Sequence, residues 1–151
     1  MIEKIKALLR KDREVLLYLL FGGLTTLVDF GVSFLLYRLL GDAMEQNRLL
    51  IHAADAVAWV CAVLFAFFTN RAWVFQSERH GFLPVLLELF SFAGGRVLTF
   101  LVQEGVIALF YGVLAINKYA VRIGAAILVI LLNYVISKLL VFRKRKGSGD
   151  A

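Results

Sequence analysis

The residues that could do chemistry are charged and amide side chains set inside long apolar runs. In the first run Gly22, Thr25 or Thr26, Asp29 and Ser33 recur at three- and four-residue steps, and in the third Glu88, Arg96, Thr99 and Gln103 do the same. Such steps place each set on one helical face. An isolated charge in hydrocarbon costs several kcal/mol by most scales, so polar faces of this kind should meet each other or line a wet cavity. Asp29 and Arg96 both fall near mid-span and are expected partners on an interior polar path with Thr26 and Gln103; a purely architectural salt bridge is the alternative. Asp55 and Arg122 form a second expected pair, a structural one. Arg71 and Lys138 stand where apolar runs end, with the amides Asn70 and Asn133 nearby. A guanidinium can hold phosphate bidentately while an ammonium adds a compact charge, so these four residues make an expected phosphate site. Snorkelling to anionic lipid is the alternative for the two cations. Trp73, Phe75 and Phe142 are expected interface anchors.

The elements that must position these groups follow from composition. Of 151 residues, 61% are hydrophobic and 19% charged, more apolar surface than one small soluble core could bury. The fold expected is all-α and polytopic, with transmembrane helices at about residues 15–40, 49–70, 84–111 and 119–142. Residues 1–14 set Ile2, Ile5, Leu8 and Leu9 against Lys4, Lys6, Arg10, Lys11 and Arg13, the pattern of an interfacial amphipathic helix. Residues 143–151 hold a basic tail and a Gly-Ser segment expected to be a linker or tag remnant. Lysine and arginine crowd the N-terminal segment, the middle loop (Arg71, Arg79) and the tail, whereas only Arg38, Arg48 and Lys118 fall on the other side. The positive-inside rule therefore places both termini in the cytoplasm. The net charge of +6 points to anionic lipid rather than nucleic acid, because the cations gather at the ends of apolar runs. His52 and His80 lack metal-ligand spacing and Cys61 is the lone cysteine, so neither a metal nor a cofactor is expected. A catalytic role is not expected either, for want of a nucleotide-binding glycine loop or a carboxylate pair in a polar setting.

Sliding the second run along the chain until Arg71 falls on Lys138 also superposes Ala53 on Ala120, Ala58 on Ala125 and Val74-Phe75 on Val141-Phe142. Residues 29–37 resemble residues 103–111 in the same way. Two related helical hairpins are expected, sharing one orientation. Ala54, Ala58, Ala62 and Ala66 form a small-residue stripe that allows close helix approach, chiefly for packing. The same stripe offers a surface for a homo-oligomer, most simply a dimer.

Phe21-Gly22 with Thr26 and Asp29, then Asn70-Arg71-Ala72-Trp73-Val74-Phe75, then Asn133-Tyr134 with Lys138 and Val141-Phe142, resemble the GtrA-like small membrane proteins of polysaccharide synthesis. The resemblance covers roughly residues 18–142. Leu140 stands where that family's pattern has an aromatic. The resemblance implies translocation of a sugar on a polyprenyl phosphate, such as undecaprenyl-phosphate glucose, across a bacterial cytoplasmic membrane, with a membrane glycosyltransferase as a possible partner. Two other classes compete: a scaffold for such a glycosyltransferase, and a small multidrug-type exporter. Arg96 and Arg122 disfavour the exporter, since buried positive charge repels cationic drugs.

Overall fold

The computed structural model describes residues 2–47 and 49–143, with side chains from residue 11 onward. Among them are four α-helices and no strand: α1 (Ile2–Gln46), α2 (Leu49–Thr69), α3 (Phe82–Ile107) and α4 (Lys118–Ile136). Helices satisfy their own backbone polar groups, which is what a segment in hydrocarbon requires. Pro84 breaks none of them because it lies in the first turn of α3, where its missing N–H has no helical partner to lose. Four segments are long and apolar enough to cross a membrane: Lys11–Gln46, Leu49–Val74, Phe82–Val113 and Lys118–Val141. The 45 residues of α1 form one helix of about 68 Å with no break between residues 14 and 15. The amphipathic face expected over residues 1–14 rests largely on side chains outside those described, as do Arg48 and the tail beyond Arg143.

The chain divides after Gln76 into two compact units, the hairpins α1–α2 and α3–α4. An asparagine starts the second helix of each. The Asn47 side-chain oxygen accepts from the Leu49 N–H at 3.0 Å, and that of Asn117 from the Tyr119 and Ala120 N–H groups at 2.9 and 3.4 Å. Such caps satisfy N–H groups that a helix start leaves unpaired.

Each second helix also ends in the same way. The α-helical ladder widens into a π-helical turn at Asn70–Val74 and again at Ser137–Val141. The Phe75 N–H closes the first by donating to the Asn70 carbonyl, and the Phe142 N–H closes the second by donating to Ser137, both at 2.8 Å. These turns coincide when Arg71 is superposed on Lys138. The wider turn rotates the residues that follow it, and both phenylalanines are buried. Phe75 meets the buried Tyr18 ring of α1 at 6.2 Å between centroids, tilted by 54°. Phe142 meets the buried Phe92 ring of α3 at 5.8 Å and 48°. Tyr18 falls on Phe92 in the alignment that places Asp29 on Gln103, so the repeat governs the core as well as the helix order.

Small residues bring the helices of each hairpin together. In the first, Ala54, Ala58, Ala62 and Ala66 are all buried within the chain, as a packing stripe should be. In the second, Ala125 takes the place of Ala58 and is 1% exposed. At Gly95 of α3 a Cβ would lie 2.9 Å from Ile136 Cγ2, whereas at the adjacent Gly94 it would meet nothing within 4 Å. A branched methyl on a helix cannot swing aside cheaply. Gly95→Ala should therefore lower stability by about 1–3 kcal/mol, and Ile136→Ala should recover part of that loss. Gly94→Ala should be neutral or stabilising by up to about 1 kcal/mol. Thermal unfolding of the purified variants in detergent checks the pattern.

Candidate functional site

In the second hairpin the interior polar groups of α3 and α4 are joined. Thr99 is 1% exposed, and its hydroxyl donates to Asn133 Oδ1 at 2.8 Å, within reach also of the Arg96 carbonyl at 3.0 Å. Asn133 is itself buried. One turn before Thr99, Arg96 is half-buried with its guanidinium carbon 5.1 Å above the centre of the Phe92 ring, a cation–π contact. A cation, an amide and a hydroxyl thus cluster inside two candidate spans. The equivalent positions in the first hairpin are Gly22, Ala66 and Thr25. Thr25 donates instead to the Phe21 carbonyl of its own helix at 2.7 Å. The two hairpins share a frame but differ in interior polarity.

Asn70 opens the first widened turn and is 1% exposed. Its amide nitrogen donates to the Ala66 carbonyl at 2.6 Å, which also takes the Thr69 hydroxyl at 3.2 Å. Asn70 Oδ1 is buried and accepts no hydrogen bond among the described residues. Its open valence is an acceptor, suited to a hydroxyl or N–H donor rather than to a phosphate oxygen. Arg71, next in sequence, is half-buried. Lys138 in the second hairpin donates to the Tyr134 hydroxyl at 3.1 Å and lies 5.4 Å from the centre of that ring.

Trp73 stacks on Phe21 at 5.3 Å and 13° while remaining 57% exposed. It is the one residue of the expected anchors with a ring available to an interface. Phe75 and Phe142 are corrected from interface anchors to core residues, because the widened turn carries both rings inward. Asp29 is half-buried on α1, Thr26 is exposed and donates to the Gly22 carbonyl at 3.2 Å, and Gln103 is half-buried on α3. Asp55 on α2 accepts from the Tyr37 hydroxyl of α1, and Arg122 is exposed on α4. The expected pairs Asp29–Arg96, Asp55–Arg122 and Arg71–Lys138 each have one member in either hairpin.

Sequence reasoning missed three groups. Tyr37 gives no sign of its partner, because the contact to Asp55 is made across a hairpin. Glu88 belongs to the polar face of α3, but it is buried beneath the start of the hairpin, where Ser77 Oγ donates to it at 2.7 Å and Arg79 Nε stands 3.6 Å away. A glutamate soon after a Ser-x-Arg loop was the available signal. Tyr18 and Phe92 look like any other apolar helix residues until the repeat aligns them.

The chain matches the family model described as GtrA/DPMS, transmembrane domain, over residues 17–142. It is 37% identical over 145 residues, covering 96% of this chain and 95% of the relative, to the cell wall teichoic acid glycosylation protein GtcA of Listeria monocytogenes serovar 1/2a. A protein of the same name from Listeria innocua serovar 6a is 37% identical over 133 residues, 88% of this chain and 87% of the relative. The membrane protein YwcD of Bacillus subtilis is 32% identical over 133 residues, 88% of this chain and 99% of the relative. No solved structure matches the chain.

The difference between the two threonines is measurable. Thr99→Val strands a buried amide oxygen and should cost about 1 kcal/mol, the scale of interhelical hydrogen bonds in membranes. Thr25→Val removes only a bond to a carbonyl of its own helix and should cost less than half as much, with Thr99→Ser close to the parent. Thermal unfolding in detergent compares the three.

Proposed function

Because the chain belongs to the GtrA/DPMS transmembrane-domain family, we propose that it carries a polyprenyl-phosphate-linked sugar, such as undecaprenyl-phosphate glucose, from the inner to the outer membrane leaflet for glycosylation of a cell-surface polymer. Four apolar helices and this family make it a multi-pass membrane protein. Its relatives named for cell wall teichoic acid glycosylation support a surface polymer as the destination and a bacterial cytoplasmic membrane as the location.

The observation that carries the reading is the Arg96, Thr99 and Asn133 cluster inside the second hairpin. Polar groups in hydrocarbon are costly and mark pathways for polar cargo. In this reading the sugar passes Arg96, Gln103, Thr26 and Asp29 while the prenyl tail stays in lipid. Arg71 and Lys138 hold the phosphate at the cytoplasmic end, where both chain termini also lie. Asn133 lends its amide to the same cargo, and the open Asn70 oxygen accepts from a sugar hydroxyl. Asp55 and Arg122 are a structural pair near the outer surface. The chain acts as a carrier, not a catalyst, and its working form is a dimer. The alanine stripe does not argue for that dimer, since it is buried within the chain.

Reconstitution into liposomes tests the reading. Fluorescent undecaprenyl-phosphate glucose in the inner leaflet should become accessible to an impermeant quencher at least tenfold faster with the protein than without it. Arg96→Ala should return the rate to the protein-free value while melting as the parent does, and Arg71→Ala should weaken the apparent affinity for the lipid. Equal rates with and without protein would remove translocation by this chain alone, leaving a scaffold that serves a glycosyltransferase.

A further inference from the structure

A cavity of about 600 Å³ opens in the second hairpin where α3 begins and α4 ends. That volume is within the range of small-molecule sites. The guanidinium groups of Arg79 and Arg143 line it together with the His80 imidazole, the Ser77 hydroxyl and the Glu78 carboxylate, and Leu83, Leu87 and Phe142 supply an apolar wall. None of this belongs to the Arg96 cluster or to the Arg71 and Lys138 site.

The polar side is built rather than incidental. Glu88 is 1% exposed, a position a carboxylate occupies only with partners. It receives the Ser77 hydroxyl at 2.7 Å and faces Arg79 Nε at 3.6 Å, which fixes both residues at the cavity lining. The Arg79 side chain remains 45% exposed beyond that contact. Helix α3 starts at Gly81 without a side-chain cap, so its positive end adds to the same field. In sequence Arg143 is followed by Lys144, Arg145 and Lys146.

The apolar wall comes from the ends of two candidate spans, Phe82–Val113 and Lys118–Val141. Hydrocarbon meets headgroups at this level, and basic pockets there bind anionic lipids. A ligand matched to both sides carries a phosphate for the arginines and a chain for Leu83 and Leu87. Free phosphate would leave the apolar wall unused. We infer that this cavity is a binding site for the phosphate headgroup of an anionic lipid, with the first part of the lipid chain against Leu83, Leu87 and Phe142. Either a glycerophospholipid or a prenyl phosphate has this chemistry. Occupancy is an equilibrium property, so the site is independent of translocation.

Native mass spectrometry of the full chain in detergent, titrated with phosphatidylglycerol, undecaprenyl phosphate and phosphatidylcholine in separate arms, tests it. At least one of the two anionic lipids should bind at least tenfold more tightly than phosphatidylcholine, and the tighter of the two identifies the source. Arg79→Ala with Arg143→Ala should weaken that binding at least tenfold, and so should Leu83→Trp, which fills the cavity and leaves every charge in place. Arg38→Ala, in the other hairpin, should bind as the parent does. If the double arginine variant fails to fold, Leu83→Trp decides alone. Parent-like binding by Leu83→Trp would overturn the cavity as the site, and equal binding of all three lipids would overturn its preference for phosphate.

Discussion

A helical turn one residue wider than its neighbours, placed at the end of the second helix, organises each hairpin of this protein. An α-helix continued through Asn70 or Ser137 would direct the following residues differently, and the widened turn brings Phe75 and Phe142 into the core. There they meet Tyr18 and Phe92, the rings that tie the first helix to the end of the second. The same turn sets where Arg71 and Lys138 leave the apolar run. In the first hairpin, side chains tend the carbonyls at its entrance, with Thr69 and Asn70 both donating to Ala66. Widened turns of this kind are frequent at functional sites.

Upon this shared frame the two hairpins diverge in what they bury. The first closes on a stripe of alanines, with Gly22, Thr25 and Ala66 at positions where the second has Arg96, Thr99 and Asn133. The hydrogen bond from Thr99 to Asn133 is of modest strength by the standards of interhelical bonds in membranes. Leaving either group unmet would cost more than the bond itself gains, so the pair fixes the register of α3 on α4. Gly95 permits the closeness this needs, since any side chain there would meet Ile136.

Much of this was legible in the sequence because membranes impose simple rules. Span length follows from bilayer thickness, and Asp29, Arg96 and Gln103 stand out because charge and amides are scarce in such runs. The repeat was visible in Arg71 and Lys138 with the Val-Phe pairs behind them. The widened turns were not, since a π-helical turn depends on how a whole helix end packs and has no local residue code. That omission explains the misplacement of Phe75 and Phe142, which a continuous α-helix and a cation nearby suggest as interface anchors. Tyr37 with Asp55, and Ser77 and Arg79 with Glu88, were hidden for a different reason: each contact is made across a hairpin or from a loop, where spacing carries no information.

The central claim, that the Asp29 and Gln103 faces line a path open to water while neighbouring residues face lipid, is tested most directly by cysteine accessibility. Cys61→Ser gives a background without the native thiol. Single cysteines at Asp29 and Gln103, and at the exposed apolar positions Phe30 and Leu101, would be exposed in vesicles to a charged, membrane-impermeant thiol reagent. Labelling at 29 and 103 is expected to exceed that at 30 and 101 by at least tenfold. Equal rates at all four positions would contradict a polar path through this protein.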